Sequence, residues 1–178
     1  MSAIRTWIEI DQNALRQNAE QFLKLIPRNT RLMAVIKSNA YGHGLTLAAK
    51  HLSDLYPSGS TLYPRLWFGV DSITEALPLR RMGIKNPILV LGSILSNRIG
   101  EAAAKNITVT ASNFEQLKII AALRKRPVFH LKIDTGMSRQ GILVSQLADF
   151  LKKLPAGVNI EGVFTHFANA DNLEDRTY

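Results

Sequence analysis

The sequence contains no cysteine among its 178 residues. This absence excludes a disulfide framework, a thiolate metal site and a cysteine nucleophile, and it is typical of a reducing compartment. No apolar run approaches the roughly 20 residues that a helix needs to cross a bilayer. Residues 1–5 lack the apolar core of a signal peptide. We therefore expect a soluble, cytoplasmic protein without a membrane partner.

The positive charge of the chain is spread evenly. Lysine and arginine number 22 and aspartate and glutamate number 14, which gives a net charge of +8. The excess is +3, +3 and +2 in residues 1–60, 61–120 and 121–178, so no third of the chain is a basic arm. The densest cluster, residues 124–126, has no interleaved aromatic residue and is typical of a solvated helix end. We therefore predict no nucleic-acid partner.

Apolar residues alternate between strand spacing and helical spacing along the chain. Asp11 is a predicted N-cap, and Ser72 and Ser112 each open an S-x-x-E capping box. After an opening strand at residues 6–10, the predicted strands are residues 31–37, 66–70, 87–91, 107–110, 128–134 and 160–166. The predicted helices carry apolar stripes within residues 15–26, 45–55, 73–77, 94–105, 117–121 and 147–154. Loops are predicted at residues 38–44 and 57–64.

This alternation predicts an α/β fold in which helices cover a parallel sheet. A doubly wound sheet and a (β/α)8 barrel both satisfy the pattern, but no strand is followed by the G-x-G-x-x-G of the dinucleotide-binding version. The strand starts are spaced by roughly 20–35 residues, as in barrel units, whereas eight units take about 250 residues. We therefore expect an incomplete (β/α)8 TIM-type barrel with about six of eight strands. Its first and sixth strands are expected to be open edges that favour dimerisation.

Polar residues are concentrated at the ends of the predicted barrel strands. Lys37 ends the first strand, Lys132 and Asp134 end the fifth, and His166 ends the sixth. Alternation on the fifth strand places His130 on the same face as Lys132 and Asp134. Since barrel enzymes carry their chemistry at the carboxyl ends of the strands, these residues are predicted to converge on a polar pocket.

Lys37 and the loop that follows it indicate one kind of cofactor. A neutral lysine amine can attack a carbonyl carbon and form an imine. Residues 41–44 (YGHG) lead into a predicted helix, whose free N–H groups can hold a phosphate. An imine-forming lysine beside a phosphate site favours a phosphorylated aldehyde, namely pyridoxal phosphate.

Three segments resemble motifs of the alanine racemase family. Residues 34–44 (AVIKSNAYGHG) resemble its pyridoxal-lysine motif, residues 132–139 (KIDTGMSR) its second motif, and residues 162–171 (GVFTHFANAD) its third. Their order and separations also agree with the family. The resemblance implies that residues 1–178 are the N-terminal part of a racemase barrel domain. The last barrel strands and a second, β-rich domain are then absent from the chain.

The resemblance also implies roles for individual residues. Lys37 would hold the cofactor as an imine and then act as a base at the α-carbon of the substrate. Tyr41 would contact the cofactor phosphate, and His166 would pack against the pyridine ring. Arg139 would lie beside the phenolic oxygen of the cofactor and hold the substrate carboxylate. Lys132 occupies a position that is carbamylated in many family members, where the resulting anion orients the arginine. No metal is implied.

The activity implied is the interconversion of L-alanine and D-alanine by a homodimeric isomerase that serves bacterial cell-wall synthesis. Racemisation requires a base on each face of the α-carbon. Lys37 supplies one of them, and in the family the other is a tyrosine of the second domain. None of Tyr56, Tyr63 and Tyr178 lies in a matching motif. We therefore expect the 178-residue chain to be inactive alone.

Simpler interpretations accompany each assignment. Tyr41 can be a solvated loop residue, Arg139 a partner of Asp134, His166 a core histidine, and Lys132 one half of a salt bridge to a carboxylate. The whole chain can be a non-catalytic pyridoxal-phosphate-binding barrel protein, or part of a racemase or decarboxylase for another amino acid. A purely structural protein would leave the cluster of polar strand ends unexplained.

Overall fold

The computed structural model describes residues 6–57, 66–158, 160–172 and 174 of the chain. The helices are α1 (Gln12–Leu25), α2 (Lys37–Tyr41), α3 (Leu45–Leu55), α4 (Ile73–Arg81), α5 (Ile99–Ala104), α6 (Phe114–Ala122) and α7 (Leu147–Lys152). The strands are β1 (Met33–Val35), β2 (Trp67–Val70), β3 (Ile88–Val90), β4 (Val109–Ala111), β5 (Phe129–Asp134), β6 (Ile142–Leu143) and β7 (Gly162–Phe164). Among the described residues, no helix has the length and apolarity needed to traverse a bilayer.

The chain divides into two compact units. Unit 1 comprises Met1–Gly69 and Pro78–Pro87, and unit 2 comprises Val70–Leu77 and Ile88–Tyr178. Each unit contains parallel strands: β1 pairs with β2 in unit 1, and β5 pairs with β4, β6 and β7 in unit 2. Short parallel strands joined through helices are the α/β pattern that the sequence predicts.

In unit 1, the start of α1 follows its sequence signal. The Asp11 carboxylate accepts hydrogen bonds from the backbone N–H groups of Asn13 and Ala14 at 2.8 and 3.2 Å, as expected for an N-cap. The helix ends before Pro27, and none of its residues is fully buried. The helix α3, by contrast, buries Ala48, Ala49 and Leu52.

The predicted opening strand at residues 6–10 is wrong. These residues form no strand, and Trp7 and Ile8 are 67% and 82% exposed. A strand is stable only when its N–H and C=O groups pair with a neighbour. No described residue provides that pairing for residues 6–10. The predicted loop at residues 57–64 lies outside the described residues except for Pro57.

The hydrogen bonds near Ser72 and Ser112 differ from the S-x-x-E capping boxes that the sequence predicts there. The Ser72 hydroxyl lies 2.6 Å from the Thr74 hydroxyl. Before α6 the N-cap is Asn113, whose side-chain oxygen accepts from the backbone N–H of Gln116 at 2.9 Å. The Gln116 side chain in turn accepts from the N–H of Ser112 at 2.9 Å. Asparagine competes well with serine as an N-cap, which accounts for the shift by one residue.

Unit 2 is organised around β5, the longest strand. Phe129 and Leu131 on this strand are each 1% exposed, and Leu117 and Ile120 of α6 are 0% and 2% exposed. The predicted helix at residues 94–105 is a 3-10 turn (Ser96–Arg98) followed by α5. The two-residue strand β6 was not predicted, because a segment that short has no recognisable alternation.

The outer strands have unpaired edges within the described residues. The strand β1 pairs only with β2 in unit 1, and β7 pairs only with β5 in unit 2. Val163 in the middle of β7 is 62% exposed. The open edges expected for the first and sixth barrel strands are present in this part of the chain, and the dimerisation that they favour stays a prediction.

Asn86 is a buried polar residue that joins three segments of unit 1. It is 0% exposed, and its amide N–H groups donate to the carbonyls of Tyr56 and Leu66 at 3.0 and 3.1 Å. Its side-chain oxygen accepts from the Ser53 hydroxyl at 2.6 Å. One side chain thus satisfies two buried carbonyls and connects α3 to the entrance of β2.

We predict that Asn86→Ala destabilises the chain by about 2–4 kcal/mol, because it removes three hydrogen bonds, two of which go to buried carbonyls. The free energy of unfolding in urea measures this loss. Asn97→Ala is the matched control, since Asn97 is exposed in a 3-10 turn. Equal stabilities for the two variants would contradict the role given to Asn86.

Candidate functional site

The predicted site residues fall into two groups, one in each unit. The first group, here called the lysine turn, is residues 37–44 of unit 1. The second, here called the β5 end, is residues 132–139 with residues 165–166 of unit 2. Both follow the carboxyl ends of parallel strands, where α/β proteins place their chemistry.

The lysine turn has an uncommon backbone. Four successive residues that are not glycine have φ angles of 52–55°, namely Ser38, Asn39, Ala40 and Tyr41. A left-handed conformation costs such a residue roughly 1–2 kcal/mol. The turn is therefore strained, and surrounding contacts have to offset this strain. The sequence predicts an ordinary loop here, and the structure has instead a compact left-handed helical turn.

Both ends of the turn are fixed by hydrogen bonds. The Ala40 N–H donates to the Ile36 carbonyl at 2.8 Å, and the Ala40 side chain is buried. The N–H groups of Gly42 and Gly44 donate to the Asn39 carbonyl at 3.2 and 2.9 Å. Both glycines also have positive φ angles, 96° and 89°, which glycine adopts without steric cost. The chain then enters α3 directly.

Lys37 and Tyr41 are the first and last residues of α2 within this turn. Lys37 is half-buried, and no described residue forms an ion pair or a hydrogen bond with its amine. Tyr41 is 62% exposed, and its hydroxyl has no partner among the described residues. The turn therefore presents one amine and one phenol that are both available to a ligand.

In unit 2, Lys132 is a buried cation in an aromatic environment. Its side chain is 6% exposed, and its amine lies 5.3 Å from the ring centre of Phe164. The ring of His130 lies 6.5 Å from the same Phe164 ring, so His130 and Lys132 share a face of β5, as alternation predicts. A cation above an aromatic ring is stabilised by the ring quadrupole.

Asp134 organises the turn after β5. One oxygen of its buried carboxylate accepts from the N–H groups of Gly136 and Ser138, both at 3.0 Å. These two bonds hold the pKa of Asp134 below its ordinary value, burial opposes them, and the charge of Lys132 lowers the pKa further. The chain then returns close to the strand at Gly141. A Cβ at this position would lie only 2.7 Å from the Asp134 nitrogen.

Arg139 and His166 project from these strand ends. Arg139 is exposed, and no carboxylate of the described residues pairs with it. The simpler interpretation of an Arg139–Asp134 pair is therefore wrong, since Asp134 binds backbone N–H groups instead. His166 is also exposed, so it is not a core histidine.

Two threonines that no sequence motif predicts fix the segment directly before His166. The Thr165 hydroxyl donates to the Ile133 carbonyl at 2.8 Å and lies 2.8 Å from the Thr135 hydroxyl. These contacts join the ends of β5 and β7 directly before His166. A threonine at the end of each of two neighbouring strands was the available signal. Tyr56, which the sequence analysis left without a role, is buried at 5% exposure.

Comparison with known proteins identifies the family. A family model described as the alanine racemase N-terminal domain matches residues 10–178. The chain is similar to the alanine racemase of Desulforamulus reducens, with 39% identity over 97% of this chain and 46% of the relative. It is also similar to alanine racemase 1 of Bacillus subtilis, with 39% identity over 95% of this chain and 43% of the relative.

Solved structures agree with these sequence relatives. The crystal structure of alanine racemase from Bacillus anthracis with bound L-Ala-P has a TM-score of 0.81 and 34% identity, and covers 95% of this chain and 43% of its own. Alanine racemase of Clostridium difficile 630 has a TM-score of 0.80 and 31% identity, covering 97% and 45%. The chain thus spans less than half the length of these relatives.

The predicted fold class, the parallel α/β architecture of a TIM-type barrel domain, is confirmed. The chain belongs to the family of alanine racemase N-terminal domains.

Proposed function

We propose that this chain forms the pyridoxal-phosphate-binding part of an alanine racemase, an isomerase that interconverts L-alanine and D-alanine. The observation that carries the proposal is the Lys37 amine, which follows a parallel strand and has no partner among the described residues. It lies within the segment that matches the racemase family. The relative from Bacillus anthracis was crystallised with L-Ala-P, which supports alanine as the substrate.

Each group, taken separately, offers side chains that suit one part of pyridoxal phosphate chemically. An amine for the aldehyde comes from Lys37, and a hydroxyl for the phosphate comes from Tyr41. The exposed guanidinium of Arg139 suits both the phenolic oxygen and a substrate carboxylate, and the exposed His166 ring can pack against the pyridine. When bound, the cofactor supplies an electron sink that stabilises negative charge at the α-carbon of an amino acid.

Under this proposal, Lys37 and Arg139 have separate roles in the reaction. Lys37 moves a proton at the α-carbon through its Nζ atom, acting as a base on one face. Arg139 binds the substrate carboxylate and fixes the orientation of the α-carbon. The resemblance assigns the second base to a tyrosine of another domain, so we expect no turnover from the 178-residue chain alone. A homodimeric, cytoplasmic enzyme of cell-wall synthesis remains part of the proposal.

We predict that sodium borohydride fixes added pyridoxal phosphate to Lys37 in the purified chain. Peptide mass mapping after reduction locates the adduct. Lys37→Arg is expected to abolish it, because a guanidinium keeps the charge and lacks the nucleophilic amine. Lys50→Arg serves as the matched control, since Lys50 is an exposed lysine of α3 that pairs with Asp54. Label scattered over surface lysines, with no excess at Lys37, would contradict the proposed function.

Lys132 is proposed as a carbamylated lysine. Its buried amine, once neutral, attacks the carbon of carbon dioxide and releases a proton, and the cation becomes an anion able to orient Arg139. Carbon-13 bicarbonate is expected to give a carbamate signal that is absent from Lys132→Gln. A signal that persists in this variant, or none in either protein, would favour the simple buried cation above Phe164.

Arg139 can serve a ligand only if the turn that Asp134 holds keeps its shape, and that turn is sensitive to acid. Because the pKa of Asp134 is lowered on folding, its stabilisation is present above the ordinary carboxyl pKa and is lost as the pH falls through the folded value. We predict that wild type and Asp134→Asn differ most in unfolding free energy at neutral pH and converge below about pH 4.

Urea unfolding across this pH range tests the role of Asp134. Asp149→Asn is the control, because Asp149 is an exposed aspartate whose partner Lys152 is also exposed. The unfolding free energies of Asp149→Asn and wild type are expected to differ little at any pH in this range, because a surface ion pair contributes little stability. If the difference in unfolding free energy between wild type and Asp134→Asn stayed constant between about pH 6 and about pH 3, the role given to the Asp134 carboxylate would be contradicted.

A further inference from the structure

We propose that Asn39 is a positioning residue for Lys37 and Tyr41: its side chain and carbonyl hold the lysine turn in its left-handed form. This inference rests on the proposed function, since it concerns where the amine and the phenol lie relative to a bound cofactor. Asn39 itself is not a catalytic residue, because it acts only through the backbone of the turn.

Three hydrogen bonds of the turn end on Asn39. Its carbonyl accepts from the N–H groups of Gly42 and Gly44 at 3.2 and 2.9 Å. Its side-chain oxygen accepts from the N–H of Leu45, the first residue of α3, at 2.9 Å. No other side chain of the described residues caps this helix, and the residue directly before it is Gly44. Asn39 therefore joins the turn to the helix.

Asparagine is suited to this position for two separate reasons. Asparagine tolerates a positive φ better than most residues, and Asn39 has a φ of 55°. Its short amide also reaches the start of the following helix. Asn39 is exposed, so it contributes little to the apolar core of unit 1. A replacement is therefore expected to alter the turn and leave the rest of the unit folded.

The turn determines the separation of the two functional side chains. Lys37 and Tyr41 are linked only by Ser38, Asn39 and Ala40, all of which have a positive φ. If these residues relaxed to the right-handed region, Tyr41 would point in a different direction relative to Lys37. Anchorage to β1 through Ile36 and to α3 through Leu45 resists that relaxation.

Three variants separate the two contributions of Asn39. Asn39→Asp keeps both the tolerance of positive φ and the acceptor oxygen, whereas Asn39→Gly keeps only the tolerance and Asn39→Ala keeps neither. Asn106→Ala is the matched control, because Asn106 is also exposed and has a φ of 52°, but lies in unit 2 between α5 and β4.

Two measurements are made on each protein. Hydrogen exchange reports the protection of the amides of residues 42–45 without any cofactor. Borohydride trapping of added pyridoxal reports the share of label at Lys37. Pyridoxal is chosen because it lacks the phosphate, so the negative charge of Asn39→Asp does not repel the probe.

We expect Asn39→Asp to match wild type in both measurements. Asn39→Gly is expected to exchange these amides about fivefold faster, the factor that corresponds to the loss of one ordinary hydrogen bond. Asn39→Ala is expected to exchange them faster still, and the share of label at Lys37 is expected to fall in both variants. Asn106→Ala should leave both measurements unchanged.

The outcomes distinguish this inference from the proposed function. Wild-type selectivity for Lys37 that persists unchanged in Asn39→Gly and Asn39→Ala overturns the role of Asn39 and leaves the proposed function intact. A wild-type chain that does not label at Lys37 contradicts the proposed function, and hydrogen exchange then decides on Asn39. If Lys37 is not labelled in the wild type, and the amides of residues 42–45 exchange at the wild-type rate in Asn39→Gly and Asn39→Ala, the role of Asn39 is overturned as well.

Discussion

The parallel pairing of short strands is the constraint on which the described structure depends. When β4 and β7 lie on either side of β5, their carboxyl ends meet at one edge, and the residues that follow them gather there. The register sets which side chains meet: His130 is opposite Gly162, and Lys132 is opposite Phe164. A Cβ at position 162 would lie 2.7 Å from the His130 ring, so any larger residue there would have to displace that ring.

Pairing also explains which sequence predictions succeed. The strands within residues 66–70, 87–91 and 128–134 are found because each has a neighbour to pair with. Residues 6–10 (TWIEI) are likewise rich in apolar and β-branched residues, yet they form no strand in the structure. Composition indicates that a segment can be a strand, whereas the available neighbours decide whether it becomes one.

The candidate site could be predicted only in part. The roles that the motif resemblance gives to Lys37 and Arg139 stay predictions, whereas alternation correctly placed His130 and Lys132 on one face of β5. The left-handed lysine turn could not be predicted from the sequence, because residue propensities do not predict four successive positive φ angles in residues other than glycine. The contact between Thr135 and Thr165 joins residues 30 positions apart, so its signal, a threonine at the end of each of two strands, can be recognised only once those strands are known to be neighbours.

The two groups of candidate residues, each within its own unit, share one physical arrangement. After β1 the oxygens of Asn39, and after β5 an oxygen of Asp134, accept backbone N–H groups from the residues that follow. In each case a short polar side chain fixes the turn, and the longer side chains of Lys37 and Arg139 remain unpaired among the described residues. Since binding costs free energy wherever a ligand must order its own site, a turn held by short side chains lowers that cost. The strain of the lysine turn is then intelligible as part of a preorganised site.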